Sequence, residues 1–252
     1  MSVDTYVKLV AFDLDDTLAP SKSAIEPAMA QALKQLLERV PVCVISGGQF
    51  KQFQKQLLAG LEGTGANLAD LHLMPTCGTV YYRFKQGQWQ VQYRHDLPES
   101  VREETKKVVE ATARELGFWC ENPRGEIIED RGTQLTYSAL GQEAALADKR
   151  RWDPTGEKKI ALRQALSVKL PQLQVRAGGS TSVDITARGI DKAYGIGKLV
   201  AATGIEKDDL LFVGDRLDPD GNDYPVLVAG YRTKPVTGWE ETLEVIEQLL
   251  HT

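Results

Sequence analysis

Apolar positions along this chain fall into short dense runs that alternate with longer stripes at helical spacing. Leu9 to Phe12, Val42 to Ile45 and Leu71 to Met74 are apolar-rich runs of strand length. Such runs mark strands buried on both faces of a parallel sheet. Between them, Leu33, Leu36, Leu37 and Val40 recur at i, i+3, i+4 and i+7 and stop at Pro41, which predicts a helix with one buried stripe. Ser23 and Glu26 have the spacing of a capping box for it. Phe50, Phe53 and Leu57 share one face of a second helix over 49–58. Strand, helix, strand, helix, strand predicts right-handed βαβ units.

The period changes near Tyr81. Residues 81–93 alternate like a half-exposed hairpin, and Gly125 to Tyr137 like a second one around Arg131-Gly132. Glu99 to Leu116 and Glu157 to Lys169 are charged amphipathic helices, and Leu173 to Ala177 and Ser182 to Thr186 are two more strands. The βαβ rhythm returns with a helix over Asp191 to Thr203, closed by Gly204, and with strands at Leu210 to Val213 and Val226 to Ala229. Thr237 and Glu240 form a capping box for a last helix ending near Leu250. The expected fold class is therefore α/β. A Rossmann-like parallel core over 1–82 and 189–252 is interrupted by an antiparallel α+β unit over 83–188.

Composition narrows the function. The 252 residues carry a formal net charge of −5 and no Lys/Arg cluster suited to nucleic acid or an anionic membrane. No apolar stretch has the length of a membrane span, and residues 1–8 hold no signal-peptide core. Cys43, Cys77 and Cys120 show no metal-ligand spacing and suit a reducing cytoplasm; the three histidines are scattered. Neither nucleic acid nor a membrane is an expected partner, and the chain is expected to be a monomer or homodimer.

The chemistry gathers at the ends of the predicted parallel strands. Asp13, Asp15, Asp16 and Thr17 follow the first apolar run at once. Carboxylates so close at the end of a buried strand repel one another and are costly to desolvate, a conflict that a hard divalent cation removes. Ser46 precedes two glycines at the second strand end, Lys192 opens a helix, and Asp215 closes a strand with Asn222 and Asp223 beyond it. A parallel sheet brings its strand ends to one edge, where these groups can meet. A carboxylate can attack phosphorus, a second can move protons, and a lysine and a hydroxyl can hold phosphoryl oxygens.

DLDDTL at Asp13 to Leu18, the Ser46 strand end, Lys192 and GDRLDPDGND from Gly214 resemble the motif set of the haloacid dehalogenase (HAD) superfamily of phosphotransferases. The insertion sits where that superfamily places its type II caps. GGSTSVDITARGIDKAYGI and FVGDRLDPDGNDYPV are most similar to eukaryotic-type phosphomannomutases and their sugar-phosphatase relatives. The resemblance implies Asp13 as nucleophile and Asp15 as general acid/base. It implies Mg²⁺ held by Asp13, Asp215 and the main-chain carbonyl of Asp15. Ser46, Lys192 and Asn222 would bind the phosphoryl group, with Asp223 orienting the site from behind the metal ligands. In the insertion, Arg124, Ser182 and Asp184 match positions that contact the sugar phosphate.

One departure from the mutase pattern bears on the reaction. Gln142 stands where the mutases carry a second phosphate-binding arginine, and Ser21 or Lys22 where they carry one beyond the acidic turn. A mutase must grip both ends of a bisphosphate. The sequence therefore favours Mg²⁺-dependent hydrolysis of a sugar phosphate through an aspartyl-phosphate, with a phosphomannomutase-type mutase as the alternative. Arg131, Lys149, Arg150 and Arg151 are candidates for a substitute clamp. A non-catalytic sugar-phosphate binder is the competing class.

Overall fold

The computed structural model describes residues 7–251. They divide into two units, one formed by the described residues up to Arg94 and from Asp191, the other by His95–Ile190.

The first unit is built on a seven-stranded sheet. Its strands are β1 (Leu9–Phe12), β2 (Val42–Ile45), β3 (Leu71–Met74), β4 (Val80–Lys85), β5 (Gln88–Arg94), β10 (Leu210–Gly214) and β11 (Arg232–Pro235). The order is β11-β10-β1-β2-β3-β4-β5, and the first five strands are parallel. Every residue of β1, β2, β3 and β10 is buried, as unbroken apolar runs require. Successive side chains feed two cores because they point to opposite faces. Val10, Phe12, Val42, Val44, Leu211 and Val213 meet Leu33, Leu36, Phe53, Leu57, Val245 and Ile246 on one face. Leu9, Ala11, Cys43, Ile45, Leu210 and Phe212 meet Ile196, Leu199 and Val226 on the other. The helices involved are α1 (Pro27–Leu37), the helical stretch 50–61 (α2), α6 (Lys192–Thr203), α7 (Tyr224–Val228) and α8 (Trp239–His251). Each fully buried large apolar side chain contributes about 1.5–3 kcal/mol.

Several sequence expectations are corrected. The hairpin over 81–93 does not open the insertion: β4 pairs antiparallel with β3, through His72↔Arg83 and Leu73↔Tyr82, and β5 extends the same sheet. The chain leaves the core at Arg94 rather than Tyr82 and returns at Asp191. Val226 to Ala229 is not a strand. Pro225 supplies a fixed φ and no donor at the start of α7, which favours a helix there. The strand is the polar edge segment Arg232–Pro235, whose composition suits a sheet edge and hides it from a hydrophobicity search. α1 begins at Pro27 with Glu26 as N-cap and without the Ser23 box, and Thr237 pairs with Glu241 rather than Glu240.

The second unit holds a four-stranded antiparallel sheet of order β6-β7-β9-β8, from β6 (Ile128–Asp130), β7 (Gln134–Ser138), β8 (Leu173–Ala177) and β9 (Ser182–Ala187). Its apolar face, with Leu135, Tyr137, Val175, Val183 and Ile185, packs on Val109 and Ala113 of α3 (Glu99–Glu115) and on Leu162 and Leu166 of α5 (Glu157–Lys169). The alternate positions Gln134, Thr136, Ser138, Ser182 and Asp184 make the opposite face polar. The unit also contains a short helix, α4 (Leu146–Trp152). Among the described residues no helix is long and apolar enough to cross a membrane.

Candidate active site

The parallel register explains why distant motifs meet. Phe12 pairs with Val213 and with Val44, so Asp13, Asp215 and Ser46 leave neighbouring strands at one edge. The Asp13 amide donates to the Val213 carbonyl at 3.0 Å, which ties the two acidic strand ends together.

Lys192 is the first residue of α6, after Asp191, whose side chain accepts from the Tyr194 amide at 2.9 Å. It is only 1% exposed. A buried ammonium needs anionic partners, and its Nζ lies 2.5 Å from both Asp13 Oδ1 and Asp223 Oδ1. Burial alone would lower the lysine, but Asp13 and Asp223 outweigh it and hold Lys192 above its ordinary range. Burial, opposed by Lys192 and reinforced by Asp223 and Asp215, pushes the Asp13 carboxyl well up. Burial and the Asp223 charge likewise raise Asp215.

Two glycines make this packing possible. A Cβ on Gly195 would stand 2.7 Å from the Cys77 carbonyl oxygen and 2.4 Å from Ile45 Cδ1, so only glycine lets α6 close on the end of β2. A Cβ on Gly214 would stand 2.5 Å from Asp223 Oδ2. The turn that meets α6 holds Thr76 and Cys77 at φ of 49° and 54°, a costly conformation for a β-branched residue. Its amides donate to the Gly48 and Ser46 carbonyls at 2.9 Å each, so it clasps the loop that carries Ser46. Ser46 Oγ accepts from the Gly48 amide at 3.1 Å, which leaves the hydroxyl hydrogen to donate elsewhere.

Asp13, Asp215 and Asp223 offer carboxylate oxygens that all lie within 4.8 Å of one another. Set against the single ammonium of Lys192, this cluster keeps an excess of negative charge, which suits a hard divalent cation. Asp223, expected to orient the site from behind the metal ligands, lies beside Asp13 and Asp215, fully buried, with Oδ1 held by Lys192 and Oδ2 by the Arg216 amide at 3.1 Å.

Asp15 is not brought into this cluster by its side chain. Its Oδ2 accepts from Gln52 Nε2 at 2.7 Å, and its Oδ1 from the Lys22 amide at 2.7 Å and from Gln56 Nε2 at 3.1 Å. Asn222 is exposed in the loop after Asp215. In the second unit, the Arg124 side chain is 70% exposed with its guanidinium 3.7 Å from Asp148. Ser182 pairs across the sheet with Ser138. Asp184 accepts from Thr136 Oγ1 at 2.7 Å, and burial raises its carboxyl. Gln142 is turned to the Thr136 carbonyl at 3.5 Å, and Arg131 grips Glu129 at 2.6 Å.

Three further residues bear on the site: Thr17, Gln52 and Gln56. Thr17 is buried and donates to Asp215 Oδ1 at 3.2 Å while accepting from the Asp215 amide at 3.1 Å, so it orients that carboxylate. Its place after Asp15-Asp16 could have suggested this. Gln52 and Gln56 read in the sequence only as polar positions of a helix.

Comparison with known proteins bears on the family and the fold. The family model for eukaryotic phosphomannomutase matches residues 29–252. A probable phosphomannomutase of Caenorhabditis elegans is 26% identical over 259 aligned residues, covering 96% of this chain and 95% of that protein. Human phosphomannomutase 1 is 25% identical over 226 residues, covering 86% and 82%. Among solved structures, an IMP-nucleotidase of Plasmodium falciparum superposes with a TM-score of 0.73 at 14% identity, over 98% of this chain and 71% of that one. A trehalose-6-phosphate phosphatase related protein gives 0.56 at 15% identity, over 96% and 97%. At these identities the structures speak for the fold alone, which is that of the HAD superfamily. The non-catalytic alternative is set aside, since the relatives by sequence are enzymes. On the match across most of its length, the chain belongs to the eukaryotic phosphomannomutase family.

Proposed function

We propose that this protein is a sugar-phosphate mutase of the phosphomannomutase type, moving a phosphoryl group between a hexose phosphate and Asp13. The observation that carries the reading is the buried Asp13–Lys192 pair beside Asp215 and Asp223, in a chain of this family. Asp13 Oδ1 faces Lys192, and the other carboxylate oxygen attacks phosphorus. The bond from phosphorus to the departing sugar oxygen breaks, and Asp15 supplies the proton that oxygen takes up. In the return step a second sugar hydroxyl attacks the phosphoryl group, Asp15 accepts its proton, and the electron pair of the broken bond returns to Asp13. Lys192, Ser46 and Asn222 donate to the phosphoryl oxygens. Asp13, Asp215 and the main-chain carbonyl of Asp15, with Asp223 in the same cluster, would hold Mg²⁺. Such an ion neutralises carboxylate charge and draws charge from phosphoryl oxygens. Arg124, Ser182 and Asp184 are the residues for the sugar phosphate, and Arg131, which acts electrostatically on Asp184, is the substitute for the arginine missing at Gln142.

Gln142 favours a second reading, hydrolysis. A neutral amide binds a phosphate dianion less strongly than a guanidinium does, and weaker retention of the far phosphate gives water access to the aspartyl-phosphate. Phosphorus NMR of mannose 1-phosphate and glucose 1-phosphate with Mg²⁺ and catalytic hexose 1,6-bisphosphate separates the two. Conversion to the 6-phosphate with little free phosphate supports the mutase, and accumulating free phosphate supports the hydrolase. Turnover that survives in Asp13→Asn overturns both.

A further inference from the structure

We infer that Gln52 and Gln56 are positioning residues that hold Asp15 off the reacting centre and so protect the aspartyl-phosphate from water. The inference rests on the proposed roles of Asp13 and Asp15. Both Asp15 oxygens are engaged away from the acidic cluster: Oδ2 by Gln52, Oδ1 by Gln56 and by the Lys22 amide. The two glutamines stand four residues apart in α2, hence on one face, and Gln56 lies in its π turn, Gln54–Leu58.

This hold is built into the surrounding backbone. Gln56 is buried, and its Nε2 is also fixed by the Ser23 carbonyl at 2.9 Å. Its Oε1 is buried with no hydrogen-bond partner, a cost the fold bears to keep the amide aimed at Asp15. Gln52 reaches Asp15 by passing over Gly48, where a Cβ would lie 1.8 Å from Gln52 Oε1. Glycine at 48 is therefore required by the path of the Gln52 side chain.

The consequence concerns the fate of the phosphoryl group. Hydrolysis needs a water oxygen to bond phosphorus, the bond to Asp13 to break with its electron pair returning to that carboxylate, and a base to take the water proton. Transfer needs the same events with a sugar hydroxyl in place of water. A general base is worth about 10²–10⁴ in rate. With Asp15 held by two amides, water beside the aspartyl-phosphate lacks that base. A sugar whose hydroxyl hydrogen-bonds Asp15 can compete with the amides for it. Gln52 and Gln56 thus set the ratio of transfer to hydrolysis.

The test labels the full chain with acetyl phosphate and Mg²⁺ and follows loss of the phosphoryl group from Asp13 in wild type, Gln52→Leu, Gln56→Leu and Gly48→Ala. A lifetime shorter by roughly tenfold per amide lost, about the factor of one charge-assisted hydrogen bond, supports the inference, as does more free phosphate per sugar turnover. Gly48→Ala should behave like Gln52→Leu, since it evicts the same side chain, and it keeps the test open if Gln56→Leu fails to fold. Unchanged or longer lifetimes in a labelled, folded Gln52→Leu overturn the inference and leave the proposed function standing. No label on Asp13 in the wild type overturns both.

Discussion

Lys192→Met is the sharpest probe of the site, because it removes the ammonium while keeping an unbranched chain of similar length. In the wild type Nζ is 2.5 Å from Asp13 and 2.5 Å from Asp223, which are 4% and 0% exposed. Breaking a buried ion pair by deleting one partner costs about 3–5 kcal/mol. Here one deletion strands two carboxylates, with Asp215 close by. Protonation of Asp13 limits the damage, because burial already raises that carboxyl. The expected loss in Mg²⁺-free, mildly alkaline buffer is about 4 kcal/mol, or roughly 10³ in the folding equilibrium. The pH dependence has a definite sign. A carboxyl raised in the folded state above its ordinary 3.8 binds protons more tightly folded than unfolded, so its contribution to stability falls as pH rises from that value through the raised one. Losing Lys192 raises Asp13 further, so the deficit of the variant should widen on going from about pH 5 to about pH 8. Urea titrations of both proteins in chelator at the two pH values measure it. A deficit below about 1 kcal/mol at both, or one that narrows with pH, would refute the account of Lys192 as the counter-charge of a buried carboxylate pair.

Further outcomes follow from the same geometry. Asp13→Asn should keep the fold and lose on the order of 10³ or more in turnover of any phosphomonoester or hexose phosphate; near wild-type turnover would remove the nucleophile from the reaction. Thr17→Val should weaken the apparent Mg²⁺ affinity by about 10–100-fold, since Thr17 only orients Asp215, and an unchanged Mg²⁺ titration would speak against that role. Gly214→Ala should cost about 1–3 kcal/mol in thermal or urea unfolding, because the new methyl lies 2.5 Å from Asp223 Oδ2 and 2.8 Å from the Phe212 ring. Asp215→Ala and Asp223→Ala should both weaken the response to Mg²⁺, and Asp223→Ala alone should also lose stability in chelator, since only it is paired with Lys192. Equal stability of the two in chelator would contradict the pairing.

Much of this protein was legible from local pattern. Unbroken apolar runs ending in Asp13, Ser46 and Asp215 are strands whose burial is set by their own composition, and parallel order then brings their ends to one edge without further information. The inserted sheet was legible for the same reason, since alternation at Gln134–Ser138 and Ser182–Ala187 separates an apolar face from a polar one. Other features depend on partners remote in sequence. Whether the hairpin at 80–94 joins the core or the insertion is decided by the pairing of β4 with β3, because half-exposed strands suit either sheet edge. That Asp223 joins the acidic cluster is decided by Lys192, 31 residues away, and by the space beside Gly214. That the Asp15 carboxylate turns from Asp13 is decided by amides 37 and 41 residues along the chain. Hydrophobic period encodes which face of an element is buried. It carries no information on which rotamer a polar side chain takes among distant donors, and at this site that choice belongs to the tertiary structure.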